Sequence, residues 1–188
     1  MRHATPLTPR LLLLALGLAA CSAKTKQVLE AGVLSETPSA DGLIEQQIDL
    51  NADGKTEVWN FMRERANAPK VVLRKESDLN FDGRVDVRAW FTEAGVLEKQ
   101  EWDGDFDGRV DWVDHYQGNV RVLSEWDTNN DGRFDEFRSY ENGKVRRKER
   151  DTNADDQVDQ WEYLDEQGRV TKTGRDIDGD GVMDERNE

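Results

Sequence analysis

The chain has 188 residues, with 26 Lys and Arg against 40 Asp and Glu, a formal net charge of −14. A length of this size makes room for about one domain, and so acidic a balance excludes a nucleic-acid binder, which needs a basic footprint. The single Cys21 excludes an internal disulfide framework and a thiolate zinc site, and the two His, His3 and His115, are too few for a His-based metal centre.

Residues 1–20 hold two Arg (Arg2 and Arg10), no acid, and an unbroken apolar run over 11–20. The run is too short to span a bilayer, which takes about twenty apolar residues, and fits the apolar region of a secretory signal peptide. Leu18, Ala19, Ala20 and Cys21 resemble the lipobox of bacterial lipoproteins. That resemblance implies cleavage before Cys21, acylation of its thiol and of the new amino group, and a membrane partner held through the acylated Cys21. Several acyl chains anchor durably where one is marginal. Ser22, and not Asp, follows the Cys, which by resemblance to the usual sorting rule favours the outer membrane of a bacterial cell envelope. Residues 21–40 read as a tether from lipid to domain, with a little order over 28–34, and 41–188 as one repeat domain.

The repeat is internal and regular. Nine-residue loops start at Asp49, Asp78, Asp103, Asp127, Asp151 and Asp176, at steps of 29, 25, 24, 24 and 25 residues. The first step is lengthened by an insertion around 66–69. Residues 42–48 read as a return strand before the first loop. The following units read as two short strands and a turn: 85–91 and 96–102, 110–116 and 120–126, 134–140 and 145–150, 158–164 and 170–175. Pairs such as Asn142 and Gly143 between β-branched or aromatic runs are strong hairpin signals. A hairpin of this size cannot bury a face alone, so neighbours must stack. The expected fold is all-β: tandem antiparallel β-hairpin repeats forming an elongated twisted sheet or solenoid, with calcium loops along one edge. Its buried stripe is expected from Trp59, Trp90, Trp112 and Trp161 with Phe61, Phe91, Phe134, Phe137, Tyr116, Tyr140 and Tyr163, while Trp102 and Trp126 stand immediately before loops. A sugar-stacking platform is the other use such aromatics could have.

Each loop sets oxygen side chains at alternate positions. Position one is Asp49, Asp78, Asp103, Asp127, Asp151 or Asp176; position three is Asn51, Asn80, Asp105, Asn129, Asn153 or Asp178. Position five is Asp53, Asp82, Asp107, Asp131, Asp155 or Asp180, and position nine is Glu57, Asp86, Asp111, Asp135, Asp159 or Asp184. Lys55, Arg84, Arg109, Arg133, Gln157 or Val182 at position seven can offer a carbonyl. Calcium takes six to eight oxygen ligands in a flexible shell. The sharp turn it needs at position six is given by Gly in five loops and by Asp156 in the fifth. Turn-forming propensity alone explains an Asp-Gly pair, but not an acid four residues past the fifth position in all six units. Twenty of the 40 acids lie in these positions. Without cations they would repel one another.

The loops resemble those of EF-hands, dockerins, thrombospondin type 3 repeats and integrin-type propeller blades, and are nearest the last two in form. The resemblance implies calcium as the bound ion, with ligands at positions one, three, five, seven and nine. They depart from EF-hands at the twelfth position, where Asn60, Ala89, Asp114, Arg138, Glu162 and Asn187 stand in place of a bidentate Glu, and strand-like flanks replace the two helices. The hairpins between the loops resemble the MORN-like and YwqK-like repeats of bacterial proteins. The function expected is a calcium-binding, non-enzymatic envelope lipoprotein acting as a structural scaffold or adhesin. Alternatives are a module binding envelope polysaccharide or protein, and, behind it, a hydrolytic enzyme. No nucleophile elbow, phosphate loop or metal-hydrolase motif is present, and His115 is a lone His on a strand.

Overall fold

The computed structural model describes residues 31–187. Cys21, the expected signal peptide and most of the expected tether lie outside the described residues. The fold is all-β. Thirteen strands follow one another: β1 Gly32–Pro38, β2 Ile44–Asp49, β3 Val58–Arg65, β4 Ala68–Ser77, β5 Val87–Phe91, β6 Leu97–Trp102 and β7 Trp112–Gln117, then β8 Val120–Trp126, β9 Glu136–Glu141, β10 Lys144–Arg150, β11 Gln160–Leu164, β12 Val170–Arg175 and β13 Glu185–Asn187. They form one open antiparallel sheet whose spatial order is the chain order. Among the described residues no helix is long and apolar enough to cross a membrane.

Every strand touches only its sequence neighbours, so among the described residues no second layer covers the sheet. The apolar core is correspondingly thin and shared between two faces. Cross-strand register puts Val58, Met62 and Ala89 on one face and Phe61, Val113 and Trp161 on the other, all buried. Burial in a single layer comes from long cationic side chains lying across aromatic rings. The Arg74 guanidinium sits 3.8 Å over Phe61, the Lys99 ammonium 4.1 Å over Trp90, and Arg138 4.5 Å over Trp126. The polar strand β10 is half-buried over 145–150, with Arg146, Arg147 and Arg150 paired to Glu141, Glu149 and Glu136.

The expected single aromatic stripe is replaced by two sets. Trp59, Phe61, Trp90, Phe137, Trp161 and Tyr163 share one face. Trp112 lies on the other, where it faces Trp102 on β6 and Trp126 on β8, as do Phe91, Tyr116 and Tyr140. Phe134 falls in a loop. Of the expected stripe only Phe61 and Trp161 are buried.

Five hairpins carry a register shift close to the turn: between Arg63 and Arg65, Trp90 and Phe91, His115 and Tyr116, Val145 and Arg147, and Tyr163 and Leu164, whereas that of β1 and β2 lies between Val33 and Ser35, away from the turn. A β-bulge repeated at this interval adds right-handed twist at every unit. The turns are those the Asn-Gly signal called for. Asn142 (φ 53°) and Gly143 (φ 76°) are both left-handed, which matches the twist of the flanking strands. The insertion of the first step lengthens β3 and β4 to 8 and 10 residues and makes no extra loop.

The sheet begins earlier than residue 41. Gly32–Pro38, expected within the tether, form the edge strand β1 and pair with β2 from Gly32 opposite Asp49 to Pro38 opposite Ile44. Pairing satisfies backbone groups that β2 would otherwise leave open at an edge. As an edge strand, β1 carries no apolar alternation to betray it.

Candidate metal centre

The strands form a meander, so connections alternate between the two ends of the sheet. All six nine-residue loops therefore lie along one edge, and the tight turns along the other. Position one is the hub of each loop. One oxygen of its carboxylate accepts the N–H of position six in every unit, at 2.7 to 2.8 Å. The other oxygen accepts N–H groups of positions three to five, for example Ala52 to Asp49 at 2.6 Å and Phe81 to Asp78 at 2.7 Å. The position-three side chain accepts from the N–H of position five, as at Asn51 (2.9 Å), and the position-five carboxylate accepts from the N–H of position seven, as at Asp53 (2.8 Å). The position-nine carboxylate reaches back to the N–H of position two, with Leu50 to Glu57 at 2.7 Å and Ile177 to Asp184 at 2.9 Å.

This winding requires left-handed backbone at positions four and six. Gly54 (φ 85°) and Asp156 (φ 69°) meet it at six, and Ala52 (φ 64°), Phe81 (φ 65°), Phe106 (φ 66°) and Asn130 (φ 59°) meet it at four. The second requirement is hidden in sequence, because position four holds Ala, Phe, Asn or Gly with no common chemistry. Asp156 is matched by the preceding loop: Arg133 Nη1 stands 2.7 Å from its carboxylate.

Acids at positions one and nine are buried in the early loops, where Asp49, Glu57, Asp78 and Asp86 are at most 3% exposed. Burial alone would raise the Asp49 pKa, but N–H donors from Gly54, Ala52, Asn51 and Asp53 hold it below the usual carboxylate range. Asp176 is lowered in the same way by Gly181, Gly179, Asp180 and Asp178 against the opposing effect of burial. These carboxylates are held ionised, as a cation ligand must be.

Three loops bring three carboxylates to one point. Oxygens of Asp49, Asp53 and Glu57, of Asp103, Asp105 and Asp111, and of Asp176, Asp178 and Asp184 lie within 4.8 Å of one another. Among the described residues the loops 78–86, 127–135 and 151–159 gather no such triple. Their third position is the amide of Asn80, Asn129 or Asn153, as it is Asn51 in the convergent first loop. Asp135 and Asp159 accept the hydroxyls of Thr128 (2.6 Å) and Thr152 (2.9 and 2.8 Å), whereas Asp86 accepts two backbone N–H groups, as Asp111 and Asp184 do in the convergent loops. The N–H groups of Lys55, Arg84, Arg109, Arg133, Gln157 and Val182 all donate to position five, at 2.8 to 2.9 Å. An all-oxygen, anionic donor set on a tight loop suits a hard divalent cation.

The loops are also joined sideways. The position-one N–H of each later loop donates to the position-nine carbonyl of the loop before it, from Asp78 to Glu57 (2.8 Å) through Asp176 to Asp159 (3.0 Å). Asn130 in addition donates to the Asp105 carboxylate at 2.8 Å. Nothing in the repeat pattern announced these links.

Two further clusters lie on the sheet itself. Trp102, Trp112 and Trp126 stack face to face, with centroids 5.4 and 5.0 Å apart and planes 9° and 15° from parallel. Both faces of Trp112, which a sugar would need, are thus covered by its neighbours. Beside them Asp114, 4% exposed, accepts the hydroxyl of the fully buried Ser124 and faces Arg121 Nη1 at 3.3 Å. His115 Nε2 lies 2.6 Å from Glu125 Oε1, a strand-to-strand pair remote from the loops.

No protein-family model matches the chain, and no curated protein is similar to it. Among solved structures it is similar to a mutant of S. aureus TarM in complex with Fondaparinux, alpha-GlcNAc-glycerol and UDP, with 16% sequence identity and a TM-score of 0.40 over 61% of this chain and 21% of that one.

Proposed function

We propose that the chain is a calcium-binding, non-enzymatic lipoprotein of the bacterial envelope, anchored through Cys21, whose sheet serves as a scaffold or adhesin. The observation that carries this reading is the same hydrogen-bonded cage in six loops, three of which converge three carboxylates. Carboxylates held ionised by N–H donors suit cation binding better than proton transfer, which needs a pKa near the working pH. In the three convergent loops the ligands are Asp49, Asp53 and Glu57; Asp103, Asp105 and Asp111; and Asp176, Asp178 and Asp184. Asn51, Asp107 and Asp180 and the position-seven carbonyls complete the shells. The other three loops bind the same ion through the same five positions.

Sites of this kind bind at roughly 10⁻⁴ to 10⁻³ M, the range of extracellular modules. Calcium at ten times its Kd adds about 1.4 kcal/mol per site to folding stability. Calorimetric titration of chelator-treated protein is expected to give a stoichiometry near six, with the three convergent loops filling first. Absence of any heat of calcium uptake, with identical thermal unfolding in EDTA and in millimolar calcium, refutes the reading.

A further inference from the structure

Among the described residues, most exposed large apolar side chains cluster on the loop edge, and unevenly. Leu50 is 54% exposed, Leu79 50%, Phe81 49% and Phe106 41%. They sit at positions two and four of the first three loops. The same positions of the next two loops hold Thr128, Asn130, Thr152 and Ala154, so the apolar row is no requirement of the loop winding. Ile177 and Val182, exposed on the last loop, are separated from the row by those two polar loops. Loops alternate with strand pairs about 4.8 Å apart per strand, so Leu50 to Phe106 spans roughly 19 Å of edge.

The chain also enters the sheet at this place. Gly32, the first residue of β1, pairs with Asp49, the first residue of the first loop, and the adjoining Val33 and Leu34 are exposed too. Only ten residues lie between Cys21 and Gly32, a reach of at most about 38 Å over eleven steps. The apolar row therefore lies where the lipid anchor leaves the fold. We propose that this anchor-proximal stretch of the loop edge docks on the bilayer that carries Cys21, with Leu50, Leu79, Phe81 and Phe106 seated at the boundary of headgroups and acyl chains. The inference rests on the lipid-anchor and calcium readings above. Calcium enters through charge: loops 49–57, 78–86 and 103–111 hold ten carboxylates and three cations, a balance of −7 that three divalent ions bring to −1. An anionic lipid surface repels the bare edge and accepts the loaded one, with Lys55, Arg84 and Arg109 meeting phosphates.

The test uses the full lipidated chain in vesicles of phosphatidylcholine and phosphatidylglycerol. An environment-sensitive fluorophore is placed at Leu79→Cys, the one free thiol once Cys21 is acylated, and a reference fluorophore at Asn142→Cys on the opposite edge. In calcium, brominated lipids are expected to quench the Leu79 probe and spare the reference; in EDTA they spare both. Adding Leu50→Ser, Phe81→Ser and Phe106→Ser is expected to weaken docking about 100-fold, since each half-exposed apolar side chain is worth a factor of about five in partition. An unquenched Leu79 probe, with calcium heat and vesicle flotation intact, overturns the docking alone. Equal quenching in EDTA and calcium overturns it as stated, as does a probe signal that follows protein concentration without lipid, which makes the edge an interface between copies. Loss of calcium heat or of flotation removes the docking together with the reading beneath it.

Discussion

Trp112 is the middle ring of the Trp102–Trp112–Trp126 stack, and in a sheet with no second layer it should carry more stability than any other half-buried aromatic. Replacing a fully buried Trp by Ala costs about 3–5 kcal/mol. Half burial leaves roughly half of that, and two stacked partners add about 0.5–1.5 kcal/mol each beyond area. Trp112→Ala should therefore cost about 3–4 kcal/mol. Trp90, capped by the Lys99 ammonium at 4.1 Å and without a stacked ring partner, gives the internal comparison: Trp90→Ala should cost about 2 kcal/mol. Urea unfolding in saturating calcium, followed by circular dichroism, measures both. In a domain of this size each kcal/mol moves Tm by about 2–4 °C, so the Trp112 variant should melt about 10 °C lower. Double-mutant cycles should show coupling of Trp112 to Trp102 and to Trp126, and little between those two. An equal or smaller loss at Trp112 than at Trp90 would refute the account of how a one-layer sheet is held together.

Glu136, 4% exposed on β9, gives a pH signature. Burial pushes its pKa up, but hydrogen bonds from Arg150 and Arg138 outweigh this and leave it below the ordinary range. A depressed folded pKa contributes stability that is complete above the unfolded value and is lost as pH falls through the folded one. Acid titration of stability should therefore be shallower in Glu136→Gln than in the parent, and parallel profiles would contradict the assignment. At Gly104, a Cβ would stand 2.6 Å from Trp112 Cζ3. Gly104→Ala should cost about 1–3 kcal/mol through overpacking and shift the near-ultraviolet signal of the Trp stack, whereas Gly118→Ala, with nothing within 4 Å, should leave that signal unchanged.

The period, the strand-and-turn order and the placing of the loops on one edge were legible because the same acids return every 24 or 25 residues and alternation fills the gaps. The two-faced core was legible too, though the expected stripe overlooked it. Counted from the first Asp of each loop, Trp59 and Trp161 are eleventh and Trp90 thirteenth, but Trp112 is tenth, so pleating sends it to the opposite face. Other features left no trace. The left-handed position four is a backbone demand met by Ala and Phe alike. The β1 strand is a polar edge with one side to cover. In the loops 127–135 and 151–159 the hydroxyls of Thr128 and Thr152 reach position nine only once the loop is wound.

Because no strand among the described residues packs on any strand beyond its sequence neighbours, the sheet can yield in instalments. Force applied between its ends can peel the outermost hairpin while the next remains intact, and each release frees one repeat of 24 or 25 residues, about 85 Å of slack. Such a ribbon lengthens stepwise under tension and zips back when the tension falls.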